Sequence, residues 1–236
     1  MGDLMEERVK TGIPGLDEMI EGGFKRGQVI SVSGASGSGK TTFAIQFIYN
    51  GAVKYNEPGL FITLGEQKKQ MFENMLRYGW DLQKLIDENK IMFVEYPPYE
   101  IEVFLSQEVV IRDSVEMIGV KRLVIDPVSS LLIGYGDEQK RRERLLRLLE
   151  RLRNLGCVAL VTSESMGLDV EVPVGKYEVE LFSDGVIYLY NTKKKDKRER
   201  AIEIIKLRGT RHSNKVCPFE MTPEGVVVYP TKTLSD

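Results

Sequence analysis

The chain has 236 residues, of which 29% are charged and 42% are hydrophobic, and its formal net charge is −2. This composition is typical of a soluble globular protein, and no stretch approaches the roughly 18 uncharged apolar residues of a membrane-spanning helix. Two cysteines and one histidine are too few for a metal-ligand cluster, and the acidic start MGDLMEERVK lacks the regions of a signal peptide, so we predict a cytoplasmic protein with reduced thiols.

Apolar runs alternate with segments of helical periodicity along the chain. The runs predicted to be strands are 27–34, 58–66, 90–96, 121–132, 157–164 and 225–230. The segments predicted to be helices are 40–55, 70–81 (ending near Gly79), 100–119 and 137–156. Residues 165–184 show no clear period and are predicted to be a loop. Segments 184–191 and 200–207 are predicted to pair as a hairpin around TKKKDKRE.

This alternation predicts the fold class. Strands that alternate with helices form a mostly parallel sheet with helices on both faces, so the chain is predicted to be an α/β protein. The closing hairpin adds antiparallel strands at one edge. No linker, repeat or low-complexity tract divides the sequence, and we therefore expect a single domain over residues 1–236, with its core at about 11–230.

The stretch GASGSGKTT, residues 34–42, matches the pattern G-x-x-x-x-G-K-[ST] at every fixed position. It follows a predicted strand and begins a predicted helix, which is the context that phosphate binding requires, although a chance glycine-rich turn is the alternative. Backbone N–H groups and the helix dipole would hold the phosphates of ATP, Lys40 would reach the β- and γ-phosphates, and the Thr41 hydroxyl would bind Mg²⁺. The predicted ATP ligands here are Gly34, Ser36, Gly37, Ser38, Gly39, Lys40, Thr41 and Thr42.

A second magnesium ligand is predicted at Asp126. This carboxylate ends the apolar run RLVID, and ligands of open α/β sheets bind at the carboxyl ends of strands. The alternative is an aspartate that starts the turn before Pro127.

These motifs resemble a single KaiC-type domain of the RecA superfamily of P-loop ATPases. The matching stretches are TGIPGLDEMIEGGF, GASGSGKTTFAIQFIYNG, PGLFIT, YGWD, LVID, SDGVI and KLRGTRH, and they extend from about residue 11 to 230. The resemblance implies a RecA-like P-loop NTPase fold with a mostly parallel central sheet, flanking helices and a C-terminal antiparallel hairpin.

The resemblance also implies a role for KLRGTRH, residues 206–212. In KaiC-like rings, the lysine and arginine of this motif face the nucleotide of the neighbouring subunit, which implies that Lys206 and Arg208 contact the γ-phosphate there. Leu207, Thr210 and His212 would line the same nucleotide, and the protein would form a homo-oligomeric, hexameric ring. Side-chain alternation places Lys206 and Arg208 on one face of a strand, but the residues alone also fit an ordinary charged strand end.

The chain departs from the family pattern after the second strand. KaiC-like domains usually carry two adjacent glutamates there, whereas this sequence reads ITLGEQ, so that only Glu66 remains beside Gly65. Glu66 is the candidate to position the attacking water, and slow hydrolysis or ATP binding without hydrolysis are both open. The KaiC protein has two such domains and this chain resembles one, so neither autophosphorylation nor a circadian role is implied.

Three functions remain open from the sequence. The first is an ATP-dependent oligomeric switch with slow ATPase activity and an unknown protein partner. The second is an accessory protein in DNA recombination or repair. It is disfavoured because the predicted loop 165–184 and the preceding Glu164 carry six acids against a single lysine, and such a loop repels a phosphate backbone. The third is an ATP-binding assembly scaffold. The basic run 193–200 is interpreted as the solvated tip of a hairpin, with nucleic acid or an acidic partner as the alternatives.

Overall fold

The computed structural model describes residues 7–97, 108–133, 136–165 and 178–232. The strands in these ranges, numbered in chain order, are β1 (Arg8–Val9), β2 (Phe24–Lys25), β3 (Val29–Gly34), β4 (Gly59–Thr63), β5 (Ile91–Glu95), β6 (Arg122–Asp126), β7 (Val158–Glu164), β8 (Gly185–Lys194), β9 (Lys197–Leu207), β10 (Cys217–Thr222) and β11 (Gly225–Val228). The helices are α1 (Lys40–Lys54), α2 (Lys68–Leu76), α3 (Leu82–Asp87), α4 (Glu108–Ile118), α5 (Glu138–Asn154) and α6 (Val179–Phe182), with 3₁₀ turns at Asp17–Met19 and Val128–Leu131.

A nine-stranded sheet runs through the described residues in the order β11-β10-β9-β8-β3-β7-β6-β4-β5. The strands from β8 to β5 are parallel to one another, and β9, β10 and β11 continue the sheet in antiparallel fashion. In the register, Gly34 at the end of β3 pairs with both Glu164 and Leu189, and Thr63 pairs with Asp126. The parallel strands therefore bring their carboxyl ends to one edge, as the predicted fold class requires.

Hydrophobic cores cover both faces of the sheet. On one face, α1 packs Phe43, Phe47 and Ile48 against alternate residues of β3, β6 and β7. On the other face, α5 and α4 pack against the remaining positions of the same strands. Strands buried on both faces are apolar throughout, which explains why β3, β4, β6 and β7 appear as continuous apolar runs rather than alternating patterns.

The boundaries of α5 follow from its sequence. Asp137 caps the helix because its carboxylate accepts a hydrogen bond from the Lys140 backbone N–H at 3.0 Å, and Gly156 ends it with a φ of 69°. Of the predicted leucine stripe, residues 145, 148, 149 and 152 are buried, and Leu155 is half-buried against the same core. The predicted stripe is therefore confirmed.

The predicted loop 165–184 is wrong at its end. Residues 179–182 form the short helix α6, because the Val179 side chain is fully buried in the core beside α5 and draws this segment against the sheet. The segment 166–177 lies outside the described residues. Similarly, the predicted helix 100–119 is described only from Glu108 onwards.

The two strands of the closing hairpin are longer than predicted. Strands β8 and β9 pair as far as Lys194 and Lys197, so only Lys195 and Asp196 form the turn, whereas an eight-residue connection was predicted. This exposed extension carries charged side chains, so its sequence shows no strand pattern. Where neither face of a strand pair is buried, the backbone hydrogen bonds between the strands need no apolar residues beside them. Strands β1, β2 and β10, and helix α3, were not predicted.

Both thiols are buried, as predicted for Cys157. Burial raises the pKa of the Cys157 thiol to about 11. Within the described ranges, no helix combines the length and apolar character needed to cross a bilayer.

Candidate nucleotide-binding site

The loop between β3 and α1 is shaped by glycines. Gly39 has a φ of 103°, a conformation that other residues rarely adopt, and a Cβ added there would overlap the end of the Met221 side chain. A Cβ at Gly34 would overlap the Leu189 carbonyl of the neighbouring strand. The loop can therefore lie against the sheet only with glycine at these two positions.

Lys40 lies beneath this loop and is only 8% exposed. Its Nζ donates hydrogen bonds to the carbonyl oxygens of Gly34, at 2.9 Å, and Ala35, at 3.0 Å. Burial lowers the pKa of the Lys40 ammonium, and the negative charges of Glu164 and Asp126 partly oppose that shift. The loop's own carbonyl groups therefore hold the Lys40 cation beneath the loop. Lys40 is the first residue of α1, and the helix dipole stabilises an anion bound at this end of the helix.

Asp126 ends β6 in a buried position close to Thr41. Its carboxylate accepts a hydrogen bond from the Thr162 hydroxyl. Burial raises the pKa of Asp126, while the hydroxyls of Thr162 and Thr41 and the charge of Lys40 act in the opposite direction. The hydroxyl and the carboxylate are hard oxygen donors, and together they fit Mg²⁺, which takes one or two protein oxygens beside phosphate and water.

Glu66 follows β4 and enters the same cleft. Its Oε1 accepts a hydrogen bond of 3.4 Å from the Asn74 side chain, and its backbone carbonyl accepts one of 2.9 Å from the Thr63 hydroxyl. Burial raises the pKa of Glu66, the charge of Asp126 raises it further, and the Asn74 hydrogen bond lowers it. A carboxylate of raised pKa that faces a phosphate site is suited to accept a proton from water.

A single cleft of about 510 Å³ contains most of the predicted site. The residues that line it are Ser36, Gly37, Gly39, Lys40, Thr41, Thr42, Gly65, Glu66, Arg77, Asp126, Pro127, Glu164, Arg200 and Met221. Of the other predicted phosphate ligands, Ser38 is buried in the loop and Gly34 contributes the carbonyl group that binds Lys40.

Six lining residues were not among the predicted site residues, namely Gly65, Arg77, Pro127, Glu164, Arg200 and Met221. Arg200 lies on β9, within the run interpreted as a solvated tip, and its buried Nε has no hydrogen-bond partner in the part of the chain that the structure describes. Its position two residues before the buried Ile202 gave a signal, because alternate residues of a strand share a face. Gly65 and Pro127 lie next to the predicted Glu66 and Asp126. Glu164 ends the apolar run of β7 as Asp126 ends that of β6, so the same signal could have found it, whereas Arg77 and Met221 gave no comparable local signal.

The structure places Lys206 and Arg208 outside this cleft. Lys206 Nζ donates to the backbone carbonyls of Glu180, at 3.0 Å, and Leu181, at 3.3 Å. Arg208 is paired with Asp184 at 3.3 Å. Burial lowers the pKa of Lys206, and the nearby Arg208 charge lowers it further, whereas Asp184 opposes the shift.

The strand register shows how far this motif lies from the phosphate loop of its own chain. Leu207 pairs with Gly185, which pairs in turn with Ile30 on β3, whereas the loop begins at Gly34. Four residues along a strand span about 13 Å. The two functional candidates therefore lie towards opposite ends of the parallel strands.

The remaining residues of the motif contact their own chain. Leu207 packs into the core, and the Thr210 hydroxyl accepts a hydrogen bond of 3.0 Å from Arg8. His212 is half-buried, with its Nδ1 at 3.0 Å from the Ser213 carbonyl oxygen. Their predicted contacts with a neighbour's nucleotide stay predictions.

Comparison with known proteins supports the resemblance. The family model described as "ATPase: KaiC" matches residues 9–233. The circadian clock oscillator protein KaiC of Synechococcus elongatus is 34% identical in an alignment of 234 positions that covers 94% of this chain and 44% of KaiC. The chain thus spans less than half the length of the cyanobacterial proteins that it matches.

Archaeal relatives match over nearly their whole length. The UPF0273 protein MJ1359 of Methanocaldococcus jannaschii is 38% identical over 243 residues, covering 97% of this chain and 98% of that protein. The crystal structure of the KaiC-like protein PH0186 from Pyrococcus horikoshii is similar with a TM-score of 0.84 and 41% identity, covering 95% of this chain and 99% of that chain. The predicted family and fold class are confirmed: the chain belongs to the KaiC-like ATPase family and has its ATP-binding, RecA-type fold.

Proposed function

We propose that the chain is an Mg-ATP-dependent ATPase that acts as a nucleotide-controlled switch in a homo-oligomeric ring, with slow hydrolysis at the subunit interfaces. The observation that carries the proposal is the convergence of Lys40, Thr41, Asp126 and Glu66 on one cleft. A buried cation, a hydroxyl–carboxylate pair and a carboxylate of raised pKa are the groups that phosphoryl transfer to water requires.

Each group has a task in this proposal. The loop N–H groups and Lys40 bind the β- and γ-phosphates, and Thr41 and Asp126 hold the magnesium ion, which neutralises charge on the phosphates. Glu66 orients the attacking water and accepts its proton. Because Gly65 stands where the family pattern has a second carboxylate, we expect turnover to be slow.

Lys206 and Arg208 complete the site of an adjacent copy. Their separation from the cleft of their own chain favours a role in trans, since a single chain cannot bring them to its own γ-phosphate without rearranging β9. An arginine supplied by a neighbour stabilises the charge of the transition state, and such residues accelerate phosphoryl transfer by orders of magnitude. A homo-oligomeric ring is the assembly that this arrangement favours, and the resemblance to KaiC-like rings implies a hexamer. We also propose that residues 1–236 form one domain.

A scaffold that binds ATP without hydrolysing it is the second candidate function, favoured by Gly65. The two functions are separated by measuring phosphate release and ATP affinity for the native chain and for Glu66→Gln. We expect the substitution to lower kcat at least about tenfold while ATP affinity is retained, because only the proton acceptor is lost. Equal rates at the background level in both proteins would contradict the ATPase and leave the scaffold.

The raised pKa of Glu66 also predicts a pH dependence. On acidification, the rate of the native chain should begin to fall at a pH above that at which an ordinary glutamate protonates.

A further inference from the structure

Two leucines are exposed at places that the proposed ring would bring together. Leu76, at the end of α2, is 59% exposed, and Leu181, in α6, is 51% exposed. The other apolar residues of these two elements are buried, as are Met71, Met75 and Val179, or partly buried, as are Phe72 and Phe182. An exposed leucine is unremarkable alone, so the inference depends on what lies beside each one.

Leu76 lies at the rim of the nucleotide cleft. It immediately precedes Arg77, which lines that cleft, so the two Cα atoms are about 3.8 Å apart. Leu76 also lines an adjoining groove of about 500 Å³ between α2 and α3, in which Phe72 and Leu82 take part. The cleft is therefore flanked by a groove that combines apolar and charged side chains.

Leu181 lies beside the cation proposed to act in trans. Its backbone carbonyl accepts a hydrogen bond of 3.3 Å from Lys206 Nζ, and the residue before Lys206, Ile205, is also exposed. If Lys206 contacts a neighbour's phosphates, Leu181 therefore lies close to the rim of the same cleft.

The charges around the two surfaces agree with this contact. At the groove, three acidic residues stand against two lysines, namely Glu73, Asp81 and Glu95 against Lys68 and Lys69. The surface around Leu181 carries the cations Lys206 and Arg208, and Arg208 is paired with Asp184. A net acidic groove and a net basic edge attract one another, which favours their association and fixes its orientation.

We propose that the occupant of the groove rim is a second copy of this chain, whose Leu181 packs against Leu76 and closes the shared nucleotide cleft to solvent. The two surfaces differ, so the contact is head-to-tail, and repetition of such a contact closes a ring when the rotation permits. This inference rests on the proposed function, because it assumes that Lys206 enters the neighbour's site.

Cross-linking of cysteine variants tests the contact. Leu76→Cys and Leu181→Cys are prepared separately, mixed with Mg-ATP, and treated with a short bismaleimide; the native Cys157 and Cys217 are buried. We expect a cross-linked dimer from the mixture and none from either variant alone, since positions 76 and 181 meet only across two copies.

A charge substitution provides the second measurement. Leu181→Lys should weaken assembly about tenfold or more by sedimentation, because buried apolar anchors carry most interface energy. Leu146→Lys, on the exposed side of α5, is the matched control and should assemble like the native chain. Thermal unfolding checks that both variants are folded.

The outcomes separate the two proposals. A native oligomer in which the cysteine mixture does not cross-link, or in which Leu181→Lys assembles as well as Leu146→Lys, overturns the leucine contact and leaves the shared site standing. A native chain that stays monomeric with Mg-ATP overturns both.

Discussion

Gly65 is the residue at which the sequence departs from the pattern that the family resemblance implies. It lines the cleft beside Glu66, and a Cβ added there would meet only the Pro127 ring, at an ordinary contact distance of 3.6 Å. Its backbone does not have the positive φ that would reserve the position for glycine. The missing carboxylate is therefore a chemical difference, and the local backbone leaves space for the start of a side chain.

Gly65→Glu is predicted to raise kcat for ATP hydrolysis by about ten- to a hundredfold, since a positioned proton acceptor contributes in that range or above. Steady-state phosphate release at saturating Mg-ATP measures the change. Gly65→Gln, of the same size but without charge, is the control and should not accelerate the reaction. Equal rates for both variants and the native chain would show that position 65 has no part in proton transfer.

Whether a site residue could be predicted depended on whether a local sequence pattern marks it. The phosphate loop is contiguous, so a single pattern identified Lys40 and Thr41, and the end of an apolar run identified Asp126. Arg77, Arg200 and Met221 reach the cleft from three separate segments that only the sheet order brings together. No local pattern encodes that order.

At the scale of elements, a buried ion pair connects β6 with α1 and the turn before β4. Arg122 is fully buried, and its Nε donates to Glu57 at 2.7 Å while its Nη1 donates to the Phe47 carbonyl at 3.1 Å. Its guanidinium also lies over the Phe47 ring, 4.6 Å from the centroid. Burial lowers the pKa of Arg122, and the charge and hydrogen bond of Glu57 oppose that shift.

Glu57→Gln is predicted to lower the free energy of unfolding by about 3 kcal/mol, because it leaves a buried cation without its counter-charge. Urea denaturation measures the loss. Glu88→Gln is the control, since the pair between Glu88 and Lys90 is exposed and such pairs contribute little. If both variants unfold at the same urea concentration, Arg122 is compensated by other groups.

Elements with a buried face were predictable, whereas those defined by pairing or by tertiary contact were not. The leucine spacing of α5 and the apolar runs of β3 and β6 are local sequence patterns, because the side chains that form the core also form the pattern. The outer part of β8 and β9 carries charges on both faces, and α6 has only four residues. The structure of these segments follows from the backbone hydrogen bonds between β8 and β9 and from the burial of Val179 in the core. Neither produces a periodic pattern of apolar residues in the sequence.

At the scale of the whole molecule, the fold separates two halves of one proposed site. The carboxyl ends of the parallel strands carry the cleft, and the motif with Lys206 and Arg208 lies about 13 Å away along the strands. In the proposed function, the site is complete only when a second copy supplies Lys206 and Arg208. Nucleotide binding and assembly would then depend on each other, which is the physical basis of the proposed switch.

Complementation between two inactive variants tests this shared site most directly. Lys40→Ala removes the phosphate-binding cation, and Arg208→Ala removes the residue proposed to act in trans, so each variant alone should release phosphate at background rate. In an equal mixture, about a quarter of the interfaces join an intact loop to an intact Arg208, and activity should recover to about that fraction of the native rate. Mixed rings of native mass that recover no activity, or Arg208→Ala rings that stay fully active alone, would contradict a nucleotide site shared between copies.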